Sequence, residues 1–120
     1  MKLKNIYPAI VTANPEKVIA FHEKMYGFKV IHKIENNLNM GDCEYVLENP
    51  DGFRLDVIQS DVQNDFHTMR VNVDDFDEAL AAYQAEGFAV VVGPETNQSF
   101  RRALLCRENG TKFMLMQHLK

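Results

Sequence analysis

Apolar positions along the chain alternate, shift to helical spacing, and alternate again, and the whole progression occurs twice. Residues 4–12 carry Ile6, Tyr7, Ile10 and Val11 and read as a strand. Asn14 then offers a side-chain cap, and Pro15 stands where a first helical residue needs no N–H. Val18, Phe21, His22, Met25 and Tyr26 follow at helical spacing, and Gly27 supplies the left-handed stop. Residues 28–34, 43–47 and 53–58 read as three strands, the last two joined by the turn Asn49-Pro50-Asp51-Gly52. Residues 67–73 start the second round, with Met69, Val71 and Val73 on one side. Asp74-Asp75 cap a helix bearing Phe76, Ala79, Leu80 and Tyr83, and Gly87 ends it. Strands over 88–92, 100–106 and 111–116 complete the pattern, with Glu108-Asn109-Gly110 turning between the last two.

The segments Tyr26-Gly27-Phe28-Lys29-Val30 and Glu86-Gly87-Phe88-Ala89-Val90 match at an offset of 60 residues, half of the chain. Repetition at this scale is the most informative feature present. It predicts one domain over 1–120, made of two tandem β-α-β-β-β modules, the first over about 1–60 and the second over about 65–120. The expected fold class is α+β: a curved mixed sheet with helices on the outer face and a concave cleft inside. An uncovered concave face is a natural place for a ligand. Residues 60–65 link the modules, and the polar stretch 95–99 reads as a rim between strands.

Composition narrows the partners. A chain of 120 residues with 46% hydrophobic and 25% charged side chains suits one globular domain. A formal net charge of -4 argues against nucleic acid or an anionic membrane as the main partner. No apolar run approaches the ~20 residues of a membrane span, and none follows Met1-Lys2-Leu3-Lys4-Asn5 as in a signal peptide. Cys43 and Cys106 form neither a CxxC motif nor a disulfide framework, so free thiols in a reducing cytoplasm are expected. No GxGxxG, P-loop, HExxH or GxSxG pattern occurs.

The order and spacing of Tyr7-Pro8-Ala9-Ile10-Val11, of Asn14 through Phe28, of Asp51 through Val57, of Val73-Asp74-Asp75 with its helix, and of Asn109-Gly110 with the last strand resemble the vicinal oxygen chelate superfamily. That group includes glyoxalase I, the bleomycin-resistance proteins and the extradiol dioxygenases. The resemblance implies a divalent metal held by four side chains, from the first and last strand of each module. Carried over residue by residue, the four positions are Tyr7, Asp56, Thr68 and Met114. Zinc and hard divalent ions want several carboxylates or imidazoles, and only Asp56 is of that kind. A one-residue slip would bring in His67 instead of Thr68, giving a His67–Asp56 pair as the alternative metal set.

With Thr68 inward, Arg70 and Asn72 share its face. Arg70 would then recognise an anionic or polar ligand, or form a salt bridge with Asp56. Asp56 is also the candidate general base. Tyr45 is expected to pair beside Asp56, so that Tyr7 and Tyr45 wall the cleft and Met114 floors it. Three functions follow. The first is a metal-free small-molecule-binding protein, similar to the antibiotic-sequestering members, whose pocket of Tyr7, Tyr45, Asp56, Thr68, Arg70, Asn72 and Met114 would hold an aromatic or polar compound. The second is a metal-dependent lyase or dioxygenase-like enzyme using Asp56 and His67. The third is a structural or regulatory dimer without a ligand. The resemblance implies a homodimer in each case.

Overall fold

The computed structural model describes residues 1–38 and 41–119, and for 36–38 and 41–42 the backbone alone. The chain is α+β, with the elements β1 (Leu3–Thr12), α1 (Pro15–Tyr26), β2 (Lys29–Leu38), β3 (Gly41–Glu48), β4 (Arg54–Gln59), β5 (Phe66–Val73), α2 (Phe76–Ala85), β6 (Phe88–Thr96), β7 (Phe100–Arg107) and β8 (Lys112–His118). Two β-α-β-β-β runs are thus present in tandem. The chain forms two compact units, one of Tyr7–His67 and one of Met1–Ile6 with Thr68–Lys120.

In the first unit the strands lie in the order β2-β3-β4-β1. Strand β1 runs parallel to β4, with Ala9 beside Asp56 and Ile10 beside Val57. The β2–β3 and β3–β4 pairs are antiparallel, so the sheet is mixed. Helix α1 begins at Pro15 after the Asn14 cap and stops at Gly27, whose φ of 72° is the left-handed conformation. It presses Ile19 onto Ile10, Leu47, Leu55 and Val57, with Val18, Phe28 and Tyr45 around them.

The second unit repeats the plan in the order β5-β8-β7-β6. Strands β5 and β8 are parallel, and β8–β7 and β7–β6 antiparallel. Asp75 caps α2 by accepting from the Glu78 N–H at 3.1 Å. The helix sets Phe76 and Ala79 on Val71, Val73, Ala103, Leu105 and Leu115. Burial of large aliphatic and aromatic side chains such as these stabilises by roughly 2 kcal/mol each.

Two elements differ from the sequence pattern. The inward stripe of α1 is Pro15, Val18, Ile19 and His22, the i, i+3, i+4, i+7 set, while Phe21, Met25 and Tyr26 are more than half exposed. Strand β6 continues through Thr96, where a polar rim was expected from 95. Two register shifts between Val90 and Glu95 absorb the irregular chain and keep Glu95 opposite Arg102. The remaining hairpin turn closes on Asn97, whose Oδ1 accepts the Ser99 and Phe100 N–H groups.

Candidate functional site

Residues two apart on a strand share a face, so Arg54 and Asp56 of β4 reach the same side. Arg54 grips Asp56 with both arms of its fork. Its Nε donates to Asp56 Oδ1 at 2.8 Å and its Nη2 to Oδ2 at 3.1 Å. The guanidinium also lies 3.8 Å from the centre of the Tyr7 ring on β1. Asp56 is fully enclosed, whereas 27% of the Arg54 side chain remains open to solvent. Burial works against the Arg54 charge, but the Asp56 carboxylate and Tyr7 outweigh it and raise the guanidinium above its ordinary value. Arg54 also lines, with Tyr26, Phe28, Phe53 and His22, a cavity of about 470 Å³. That volume falls in the ordinary range for small-molecule sites.

In the second unit, Met69, Val71 and Val73 of β5 turn to the α2 core, so Thr68, Arg70 and Asn72 occupy the other face. Strand pairing puts Met114 beside Arg70, and Met116 beside both Asn72 and Arg102. Thr68 Oγ1 donates to the Lys112 carbonyl at 2.9 Å. Arg70 Nη2 stands 3.1 Å from the Met116 sulfur, and Asn72 Nδ2 donates to Asn5 Oδ1 at 2.6 Å. Thr68, Arg70, Asn72 and Met114 are all buried.

Tyr45 requires a correction. It pairs with Val57, and Val46 pairs with Asp56. Directly opposed residues share a face, so Tyr45 lies on the α1 side with Leu47 and Leu55, away from Asp56. Its phenol is pushed up by burial first and by the neighbouring Cys43 next, with Lys33 working the other way. His67 is exposed and lines a groove with Ile10, Val18 and His22, which is also the α1 side. The structure therefore does not bring His67 to Asp56.

Sequence reasoning overlooked two residues. Arg54 grips both Asp56 oxygens, and the Arg-x-Asp spacing on one strand was its signal. Glu44, buried in β3, shares the Asp56 face through the Val46–Asp56 pairing and the alternation of β3.

The positions that the resemblance assigns to a divalent metal do not fit one. Asp56 offers a carboxylate already chelating a guanidinium, and the Tyr7 ring lies beneath that same group. The Thr68 hydroxyl is committed to a backbone carbonyl, and Met114 contributes a soft thioether. Among the described residues no group of three or more His, Cys, Asp or Glu side chains could hold a metal ion.

Neither a protein-family model nor a curated protein matches the sequence. Solved structures do match its fold. A variant of Streptomyces coelicolor methylmalonyl-CoA epimerase in complex with 2-nitronate-propionyl-CoA is 19% identical, with a TM-score of 0.67, over 99% of this chain and 100% of that one. The methylmalonyl-CoA epimerase of Mycobacterium tuberculosis is 14% identical with a TM-score of 0.66, over 96% of this chain and 88% of that one. A hypothetical protein of Bacillus halodurans C-125 is 12% identical with a TM-score of 0.67, over 100% and 97%. The chain thus shares the fold of the methylmalonyl-CoA epimerase structures.

Proposed function

We propose that this protein is a metal-free small-molecule-binding protein, and that the cavity beside Arg54 takes an aromatic compound with an anionic or polar group. The observation that carries this reading is the Tyr7–Arg54–Asp56 stack. At two of the positions where the fold's enzymes hold a metal, this chain supplies a cation of its own. The fork uses Nε and Nη2 on Asp56, and the part of the side chain open to solvent can meet a ligand. Tyr26, Phe28 and Phe53 give a planar compound rings to stack on. The fold's structural neighbours support a small-molecule partner, since the epimerase structures hold methylmalonyl-CoA or a nitronate analogue.

Arg70, Asn72, Thr68 and Met114 belong to this reading as a buried polar and soft face of the second unit. A catalytic role for Asp56 is disfavoured, because both carboxylate oxygens already accept from Arg54. Assembly as a homodimer and a cytoplasmic location complete the proposal. The exposed Phe21, Met25 and Tyr26 and the free thiols of Cys43 and Cys106 support them.

The test is calorimetric titration of the purified chain with methylmalonyl-CoA, free coenzyme A and a panel of aryl carboxylates and neutral aromatics, beside metal analysis by mass spectrometry. Arg54→Met is expected to weaken the best ligand by about tenfold or more, as loss of a charge-assisted contact does. Stoichiometric metal, or undiminished binding by Arg54→Met, would overturn the reading.

A further inference from the structure

The internal repeat contains a second cavity, again three aromatic rings with one arginine, but among the described residues that arginine has no carboxylate partner of its own. In sequence the closing hairpins of the two modules align at an offset of 58, setting Asn49 against Arg107, Gly52 against Gly110 and Leu55 against Phe113. In the first module Asn49 is consumed by structure. Its Oδ1 accepts from the Asp51 and Phe53 N–H groups at 3.0 Å, and its Nδ2 reaches the Tyr26 carbonyl at the end of α1. In the second module the turn closes without the equivalent side chain. Asn109 Oδ1 accepts from Thr111 N–H at 3.0 Å, and the backbone of Arg107 pairs with Thr111 and Gly110.

The Arg107 side chain is thereby released from turn closure, and it lies over the Phe88 ring at 4.9 Å. Among the described residues its Nε, though buried, has no hydrogen-bond acceptor. Arg107 lines a cavity of about 400 Å³ with Tyr83, Glu86, Phe88, Thr111 and Phe113. Tyr83, Phe88 and Phe113 form a mutual edge cluster with centroids 5.3 to 5.5 Å apart. Burial raises the Tyr83 phenol, so that wall stays uncharged. An apolar, three-ring chamber with one arginine that lacks an acceptor matches a ligand with an aromatic body and a carboxylate head.

We propose that this cavity is a second binding site, for a small aryl carboxylate held by Arg107 and stacked among Tyr83, Phe88 and Phe113. The carboxylate supplies the acceptor that Nε lacks, and the Thr111 hydroxyl stands at the same wall as a further donor. Glu86 is exposed at the rim, where its charge opposes an anion. The site is independent of the Arg54 cavity.

The test uses the full chain, with 3-phenylpropanoate as probe and phenethylamine and benzyl alcohol as controls, followed by the aromatic NMR signals of Tyr83 and Phe113 and by calorimetry. Saturable shifts of those two rings with 3-phenylpropanoate are expected, with binding weakened about tenfold or more in Arg107→Gln and less strongly in Arg107→Lys, which keeps charge but loses the fork. Glu86→Gln is expected to tighten binding, and Arg54→Met to leave the Tyr83 and Phe113 shifts unchanged, which separates this site from the other. Absence of saturable shifts, equal binding by Arg107→Gln at an unchanged melting temperature, or phenethylamine binding as tightly as 3-phenylpropanoate would overturn the proposal. Arg107→Lys decides the question if Arg107→Gln fails to fold, since a lysine that binds as well as arginine contradicts recognition by the fork.

Discussion

Asp56 and Arg54 are bound in such a way that removing one partner harms the other. Asp56→Asn leaves the fork facing an amide that cannot accept at both arms. The expected loss is about 3 kcal/mol in unfolding free energy, the low end for a broken buried pair because Arg54 is partly in water. Urea denaturation measures it, and a loss under about 1 kcal/mol would contradict the two-armed grip. Gly93 is constrained differently. Its φ is 92°, and an added Cβ would sit 3.0 Å from both the Arg102 carbonyl oxygen and the Glu95 nitrogen. Those are backbone atoms that cannot swing aside, so Gly93→Ala is expected to cost about 2 kcal/mol or more by the same assay. At the surface, Asp74 accepts the Lys2 N–H at 2.6 Å, and this contact holds its carboxyl below the ordinary value. A depressed folded value stabilises above the ordinary carboxylate range, and the gain disappears as pH falls through the folded value. Asp74→Asn should therefore melt lower than the parent near about pH 7, and the two should converge as pH falls below the depressed folded value of Asp74. A difference that persists in acid would assign the effect to something other than ionisation.

Elements were readable where local chemistry alone decides them. Asn14-Pro15 and Asp75 announce two helix starts, Gly27 one stop, and the structure has them at those positions. Asp75→Ala should cost about 1 kcal/mol of stability, measurable as a shift in the denaturation midpoint without a change in its slope. What failed to be readable depends on register and on tertiary direction. The loop between β3 and β4 is held by Asn49–Phe53 and Gly52–Asn49 backbone bonds, and it leaves Glu48 opposite Arg54. One residue more or less in that loop decides whether Tyr45 or Val46 faces Asp56, and period-two alternation cannot count loop residues. The α1 stripe escaped for a related reason. Phe21, Met25 and Tyr26 fit a helical spacing as well as Pro15, Val18, Ile19 and His22 do, and only packing against Ile10 and Leu47 selects the second set. Thr68, Arg70 and Asn72 were easier, because Met69, Val71 and Val73 between them leave one orientation for the strand. Arg54 went unassigned because its importance is a contact, not a pattern.

At the scale of the molecule, duplication explains both what is shared and what is not. Each module closes its core with one helix over four strands, and the Gly-Phe that follows each helix holds that arrangement. The positions that set polarity in the two cavities are then free to diverge, which is why one has Asn49 and the other Arg107. Addition of zinc, nickel, manganese or magnesium is expected to leave the melting temperature unchanged within about a degree, since linkage requires a site that binds the folded state. Stabilisation by one ion alone would contradict the poor fit of the donor set.

The outermost strands of the two modules, β2 and β6, each contain two breaks in register. A neighbouring chain that tried to extend either edge would meet a backbone whose N–H and C=O groups fall out of step every few residues. Such an edge guards against fibril growth. A chain with such edges resists being drawn into a continuous sheet with its copies while it is made at high local concentration.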